Sequence, residues 1–169
     1  MPATYEPIAT TTLGSNAATI DFTSISSAYT DLRLVLVWRS NQSGSSANVL
    51  VRVNSDSGSN YSVTQLNGDG SSASSFRATS ATSLNMAYIS STESTNFGLV
   101  TLDFMSYAGS TNKTILGTNS YDRNGSGYVQ RTVGLWRSTS AITSVNLLLN
   151  STTNYVTGTT ATLYGILKA

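Results

Sequence analysis

A chain of 169 residues with neither cysteine nor histidine is long enough for one domain with its own core. It lacks the means for disulfides, thiolate metal sites, cysteine nucleophiles and the commonest general base. Only 10% of residues are charged and the net charge is +1, and the seven arginines and two lysines form no basic stripe of the kind nucleic acid requires.

Serine and threonine fill about a third of the positions, so hydroxyls rather than charges keep this surface wet. The opening MPATYEPIAT has no basic start followed by an apolar stretch, and no apolar run approaches the roughly 18 residues of a membrane span. The expectation is a soluble protein made without an export signal.

Both prolines fall within the first seven residues, so residues 1–12 read as an extended N-terminal arm or first strand, with Tyr5–Thr12 the strand candidate, rather than as a central strand. Thr19–Phe22 is a short strand. In DLRLVLVWRS, Leu32, Leu34, Leu36 and Trp38 point one way, and Arg33, Val35, Val37 and Arg39 the other. Period-2 patterning means strand, and apolar residues on both faces mean a central one. NVLVRVN repeats the logic with Val49, Val51 and Val53 inward. Further strands are expected at Tyr61–Leu66, Met86–Ile89, Gly98–Met105, Lys113–Tyr121, Tyr128–Leu135, Ser144–Leu149 and Thr159–Leu167. Between them SDSGSN, NGDGSS, YAGSTN, RNGSGY and YVTGTT supply Gly, Asn or Asp where positive φ is tolerated. Residues 67–83, low in apolar content, read as a long surface loop, and 90–96 as another. Ten or eleven short strands at this spacing predict an all-β, antiparallel, jelly-roll-like sandwich in a single domain over residues 1–169.

Catalytic chemistry finds little to work with. A serine or threonine nucleophile needs a base, and Lys113 and Lys168 sit in no serine–lysine motif. A glycosidase needs two facing carboxylates; most acidic residues fall in turns or at strand ends. Asp103, between Leu102 and Phe104, reads as a solvent-face residue with no partner carboxylate. Asp56–Asn60 and Asn67–Ser71 resemble half of a calcium loop but lack its bidentate glutamate, and Asx-turns account for both. The Asn-x-Ser/Thr acceptors at Asn41, Asn60, Asn112, Asn124 and Asn150 are as many as chance supplies. No enzyme, cofactor or metal site is expected.

Two corners repeat a Trp-Arg-Ser phrase: LVWRSNQSG from Leu36 and GLWRSTSAITSVNL from Gly134. Trp38 continues the Leu32–Leu34–Leu36 face and reads as core. Trp136 continues Gly134 on a strand apolar on both sides, and burial or an exposed platform fits it equally. Arg39 and Arg137 emerge on the opposite pleat, where an arginine fork suits an interface.

The order of phrases YEPIATTTLGSNAATIDFTSIS, YTDLRLVL, VRVNSDSGSNYS, QLNGDGSSASS, YAGSTNK, GLWRSTSAITSVNL and TGTTATLYGI resembles small virion proteins of tailed bacteriophages, cyanophages included. The likeness extends from Tyr5 to Ile166. It implies a jelly-roll-type β-sandwich used as a capsid decoration (cement) protein or as a tail or fibre component, with no catalytic residues. Compactness, without coiled-coil heptads or a second domain, favours the shell. The leading expectation is therefore a homotrimeric decoration protein, made in the host cytoplasm and seated on the head surface, where it bridges subunits of the major capsid protein. Its contacts would come from the N-terminal arm and loops holding Arg39, Arg77, Arg123 and Arg137. The alternative is a tail-associated module that binds a host surface glycan on a platform of Trp136, Tyr121, Tyr128 and Asn124. Neither expects nucleic acid or membrane as a partner.

Overall fold

Alternating runs of the sequence become pleated strands throughout the computed structural model. The structure describes residues 4–43, 46–89, 96–150 and 152–167. In chain order the strands are β1 (Tyr5–Thr12), β2 (Thr19–Phe22), β3 (Asp31–Trp38), β4 (Ala47–Val53), β5 (Tyr61–Gly68) and β6 (Ala73–Ala81). They continue as β7 (Leu84–Ile89), β8 (Gly98–Phe104), β9 (Lys113–Asp122), β10 (Gly127–Trp136), β11 (Val145–Leu149) and β12 (Thr160–Ile166).

Every pairing is antiparallel, in one sheet of order β1-β12-β3-β8-β9-β10-β5-β6 and another of order β2-β11-β4-β7. Set aside the hairpins β5–β6 and β9–β10, and number the other eight strands in chain order. The sheets then read 1-8-3-6 and 2-7-4-5. That is the strand order of a jelly roll. The two hairpins are additions that widen the first sheet beyond β8.

The core lies where the sheets face each other. Leu32, Leu34, Leu36 and Trp38 of β3 and Val100, Leu102 and Phe104 of β8 meet Val49, Val51 and Val53 of β4 and Val145 and Leu147 of β11, all buried. Each contributes about 1.5–3 kcal/mol by leaving water. Trp38 packs edge-on to buried Tyr155, ring centroids 6.0 Å apart.

Four strands cannot cover eight. β7 ends the smaller sheet and lies over β9, β10 and β5. Gly117 and Gly134 allow the close approach, since a Cβ on either would come within 2.8 Å of the Met86 or Leu84 side chain. The carbonyls on the unpaired side of β7 need donors. Gln65 Nε2 donates to Asn85 O at 2.6 Å, and Asn119 Nδ2 to Tyr88 O at 2.7 Å. A bulge at Met86 turns Met86 and Ala87 both inward and swings Tyr88 out of the core.

Several expectations change. Residues 73–81 are not loop but β6, an edge strand registered on β5 from Ala81↔Tyr61 to Ala73↔Gly68. Its side chains are mostly exposed because β7 does not extend over them. Of the two readings of the N-terminus, arm or first strand, Tyr5–Thr12 is the strand: it pairs along its length with β12, with an irregularity between Pro7 and Ala9, and an edge strand tolerates the missing N–H of Pro7. The strands number twelve among the described residues. Of the second expected loop, residues 90–95 lie outside the described residues.

The end of the sandwich where β3 begins is closed by the Tyr29 ring, which packs on the inward face of Gly165, and by Tyr107, whose hydroxyl donates to Ser26 O. A Cβ on Gly165 would fall within the Tyr29 ring. Gly165→Ala is therefore expected to cost about 1–3 kcal/mol through overpacking, whereas Gly14→Ala, with open space around it, should change little. Urea unfolding of both variants checks the difference.

Candidate functional site

The strand directions sort the loops into two ends. At one end lie the end of β3, the β5–β6 and β9–β10 turns and the start of β8. At the other lie the end of β10, the loop of residues 54–60 and the start of β9. The two tryptophan corners are at opposite ends, since Trp38 pairs with Gly98 and Trp136 with Lys113 and Tyr61.

The first end holds an open cleft of about 740 Å³ between the β5–β6 and β9–β10 turns. Its aromatic lining is Tyr88, Tyr121 and Tyr128, each half-buried. Tyr121 and Tyr128 are register partners across β9 and β10, with centroids 6.1 Å apart and planes 17° from parallel. Tyr88 arrives from the other sheet and lies 4.7 Å from Tyr128. The Arg123 guanidinium stands over Tyr121 at 5.7 Å. Burial holds the Tyr128 hydroxyl above its ordinary pKa, with Tyr88, Tyr121 and Asp69 adding in the same direction, so it remains a neutral donor and acceptor at neutral pH.

Two carboxylates rim the cleft. Asp69 accepts from Ser71 N at 2.8 Å, Ser72 N at 2.7 Å and both serine hydroxyls, which holds it well below the usual carboxylate range. Asp122 Oδ1 accepts from Asn124 N at 2.8 Å, an Asx-turn that sets Asn124 at φ 54°. One step inward lies a row of buried amides, Asn119–Gln130–Asn67.

A second surface is the outer face of the eight-stranded sheet, which no part of the described chain covers. Register arranges it in rows. One runs Val37–Leu99–Ser120–Val129–Gly68, the next Val35–Thr101–Thr118–Arg131–Leu66–Ser75, and a third Arg33–Asp103–Leu116–Val133–Thr64–Arg77. Leu66 and Val129 are 62% and 61% exposed, and Leu99, Val133 and Val37 are exposed as well. Threonine hydroxyls pair across the strands, Thr10 with Thr162 and Thr12 with Thr160, each at 3.1 Å. Asp103 is a solvent-face residue as expected, and it has a partner: Arg33 grips it by Nε at 2.6 Å and Nη2 at 3.0 Å.

These positions redistribute the predicted residues. Tyr121, Tyr128 and Asn124 do come together, joined by Tyr88, Asp69 and Asp122. Trp136 does not join them: it is 3% exposed, at the far end of β10. Trp38 is fully buried, as its face predicts. The four arginines share no single surface. Arg39 stacks over Phe97 at 5.6 Å and Arg123 lies in the β9–β10 turn, both at the cleft end. Arg77 points outward on β6, within 3.3 Å of Thr64 Oγ1, and Arg137 is at the opposite end. Arg131, exposed amid the aliphatic rows, was missed because a lone arginine on an alternating strand looks like any solvated residue. Lys113 is buried, and its ammonium donates to the Gly109 and Thr111 carbonyls at 2.7 and 2.5 Å.

The second corner is a clamp. Trp136 Nε1 donates to Asp56 Oδ2 at 2.7 Å, Arg137 N donates to Asn60 O at 2.9 Å, and the Arg137 guanidinium reaches Ser59 O. Asp56 also accepts from Gly58 N at 2.8 Å and Asn60 Nδ2 at 2.9 Å, so its loop is the Asx-turn expected from the sequence.

No protein-family model matches the chain, and no curated protein matches it.

The Trp136 and Asn60 hydrogen bonds lower the Asp56 pKa. A carboxylate whose pKa is lowered in the folded state stabilises above its unfolded value, about 4, and that contribution is lost as pH falls through the folded value. Asp56→Asn should therefore cost about 1 kcal/mol near neutral pH, kept small by the loop's openness to solvent. The gap from the parent protein should shrink below about pH 4. Urea unfolding followed by tryptophan emission at both pH values measures it.

Proposed function

We propose that the chain is a non-catalytic structural protein of a tailed-phage virion, a capsid decoration protein that docks on the outer head surface and bridges subunits of the major capsid protein. The observation that carries this reading is the uncovered outer face, with Leu66, Val129, Val133, Leu99 and Val37 exposed in adjacent rows. Exposed aliphatic side chains grouped on one sheet face, here interspersed with hydroxyls and arginines, suit an interaction surface. Eight strands at about 4.8 Å spacing give a face roughly 34 Å wide, room for a standard interface of about 800 Å² per partner.

The composition of the face suits shell docking. Aliphatic side chains supply apolar contact, and cross-paired threonines leave few charges to desolvate. Asp103 is neutralised by Arg33, and Arg77 and Arg131 offer two cations to a carboxylate-bearing partner. The resemblance to phage virion proteins and the jelly-roll strand order support the same reading. Low net charge lets many copies, assembled as homotrimers, sit close together without repulsion, and binding that favours the assembled shell stabilises it by mass action. A tail-borne receptor-binding role is the second reading, favoured by the tyrosine cleft, and copy number per particle separates the two.

Purified protein is expected to co-sediment saturably with heads assembled without it, at many copies per head. Leu66→Asp and Val129→Asp should each weaken binding at least tenfold, because each puts a charge into a desolvated contact. Heads that bind no protein, or bind both variants as well as the parent, would overturn the proposal.

A further inference from the structure

The tyrosine cleft borders the first row of the docking face at Gly68, Ser120 and Val129, but its rings and carboxylates lie beyond the end of that row, at the tip of the sandwich. Its walls come from the two hairpins that are extra to the jelly roll, and its third ring reaches it only through the bulge that turns Tyr88 outward. We propose that this cleft is a binding site for a neutral oligosaccharide, held against the Tyr88–Tyr121–Tyr128 surface with its hydroxyls bonded to Asp69 and Asp122.

The ligand class follows from what the cleft presents. A sugar ring offers an apolar C–H surface beside hydroxyl donors, and the cleft pairs aromatic surface with two acceptor carboxylates. Asp69 is fixed by its four serine contacts and Asp122 by the Asn124 amide, so both are oriented before a ligand arrives and little ordering cost remains. Tyr128, which lines the same cleft as Asp69, adds a neutral hydroxyl that can donate or accept.

Other ligand classes fit less well. An anion such as phosphate would meet two carboxylates, with Arg123 already stacked on Tyr121. A quaternary ammonium needs rings standing as walls around a cation-sized space. Here the planes lie within 17° to 43° of one another and the centroids only 4.7 to 6.5 Å apart, so the rings pack on one another and enclose no cation-sized space.

The test is an amide NMR titration of the isotope-labelled full chain with cellohexaose, maltohexaose, mannohexaose and galactohexaose, and with choline and inorganic phosphate as comparators. The expected result is saturable shifts from at least one saccharide, confined to Asp69–Ser71, Tyr88 and the segment Tyr121–Tyr128. Tyr128→Ala should weaken that affinity about tenfold or more, the scale of one lost aromatic contact. Tyr164→Ala, at the other end of the sandwich, should leave it unchanged. If Tyr128→Ala does not give a folded spectrum, Asp69→Asn takes its place and should weaken binding several-fold through loss of a charge-assisted hydrogen bond. No shift with any saccharide, shifts with choline or phosphate instead, saccharide shifts elsewhere, or binding untouched by the cleft variant would each overturn the proposal. Leu66→Asp, which tests head docking, should leave the saccharide shifts intact, so the two proposals fail separately.

Discussion

The unpaired edge of β7 is the constraint on which the rest of the structure depends. A four-stranded sheet set against eight must end somewhere over the larger one, and there its free main-chain carbonyls face protein instead of water. An unsatisfied buried carbonyl costs about 1–3 kcal/mol. Gln65 and Asn119 meet that need at Asn85 and Tyr88, which is why inward positions of β5 and β9, apolar in an ordinary sandwich, hold amides. Gly117 and Gly134 let β7 settle low enough for those amides to reach. The end of the interior next to the cleft is consequently polar, and the aromatic surface above it is held by strands whose positions are fixed by hydrogen bonds as well as by packing.

The same mismatch shapes the exterior. The sheet carries two faces' worth of side chains, but only the inner one is packed, and part of that runs past β7 onto β6. Hydroxyls reconcile an eight-strand face with water at low charge: a threonine gives a β-branched, strand-favouring side chain with a polar tip, and cross-strand threonines satisfy one another. Between these ladders the exposed aliphatics are concentrated on β3, β8, β10 and β5 rather than spread evenly. That grouping on one face is what the proposed docking rests on.

Much of this was legible in the sequence, for a physical reason. A strand with one face buried must alternate, so β3, β4, β8 and β10 declared themselves within a residue or two of their ends. β6 did not, because an edge strand beyond the reach of the second sheet is specified by main-chain pairing to β5 and leaves no mark on side-chain pattern. Trp136 was undecided since the residue two before it is Gly134, which carries no side chain to reveal its face; its burial depends on Asp56, 80 positions away. Tyr121 and Tyr128 could be placed together because a short turn joins their strands. Tyr88 could not. Plain alternation from Leu84 puts Tyr88 in the core, and only the bulge at Met86 reverses it.

The cleft also shows where a jelly roll has room to acquire a site. Its eight strands are bound to one another by the core, and few positions among them can change without loss of packing. The turn of a hairpin appended beyond β8 is under no such restriction, because it projects past the end of the sandwich even where its strands are packed beneath β7. Two such hairpins side by side create a gap between their turns, and the turns contribute the side chains that chemistry would use there, Asp69 from one and Asp122 from the other. The core strands contribute position and the additions contribute chemistry. Substitutions in the 68–73 and 122–127 turns that spare the positive-φ Gly70 and Gly125 can therefore alter what the cleft holds while β3, β4, β8 and β11 continue to specify the fold.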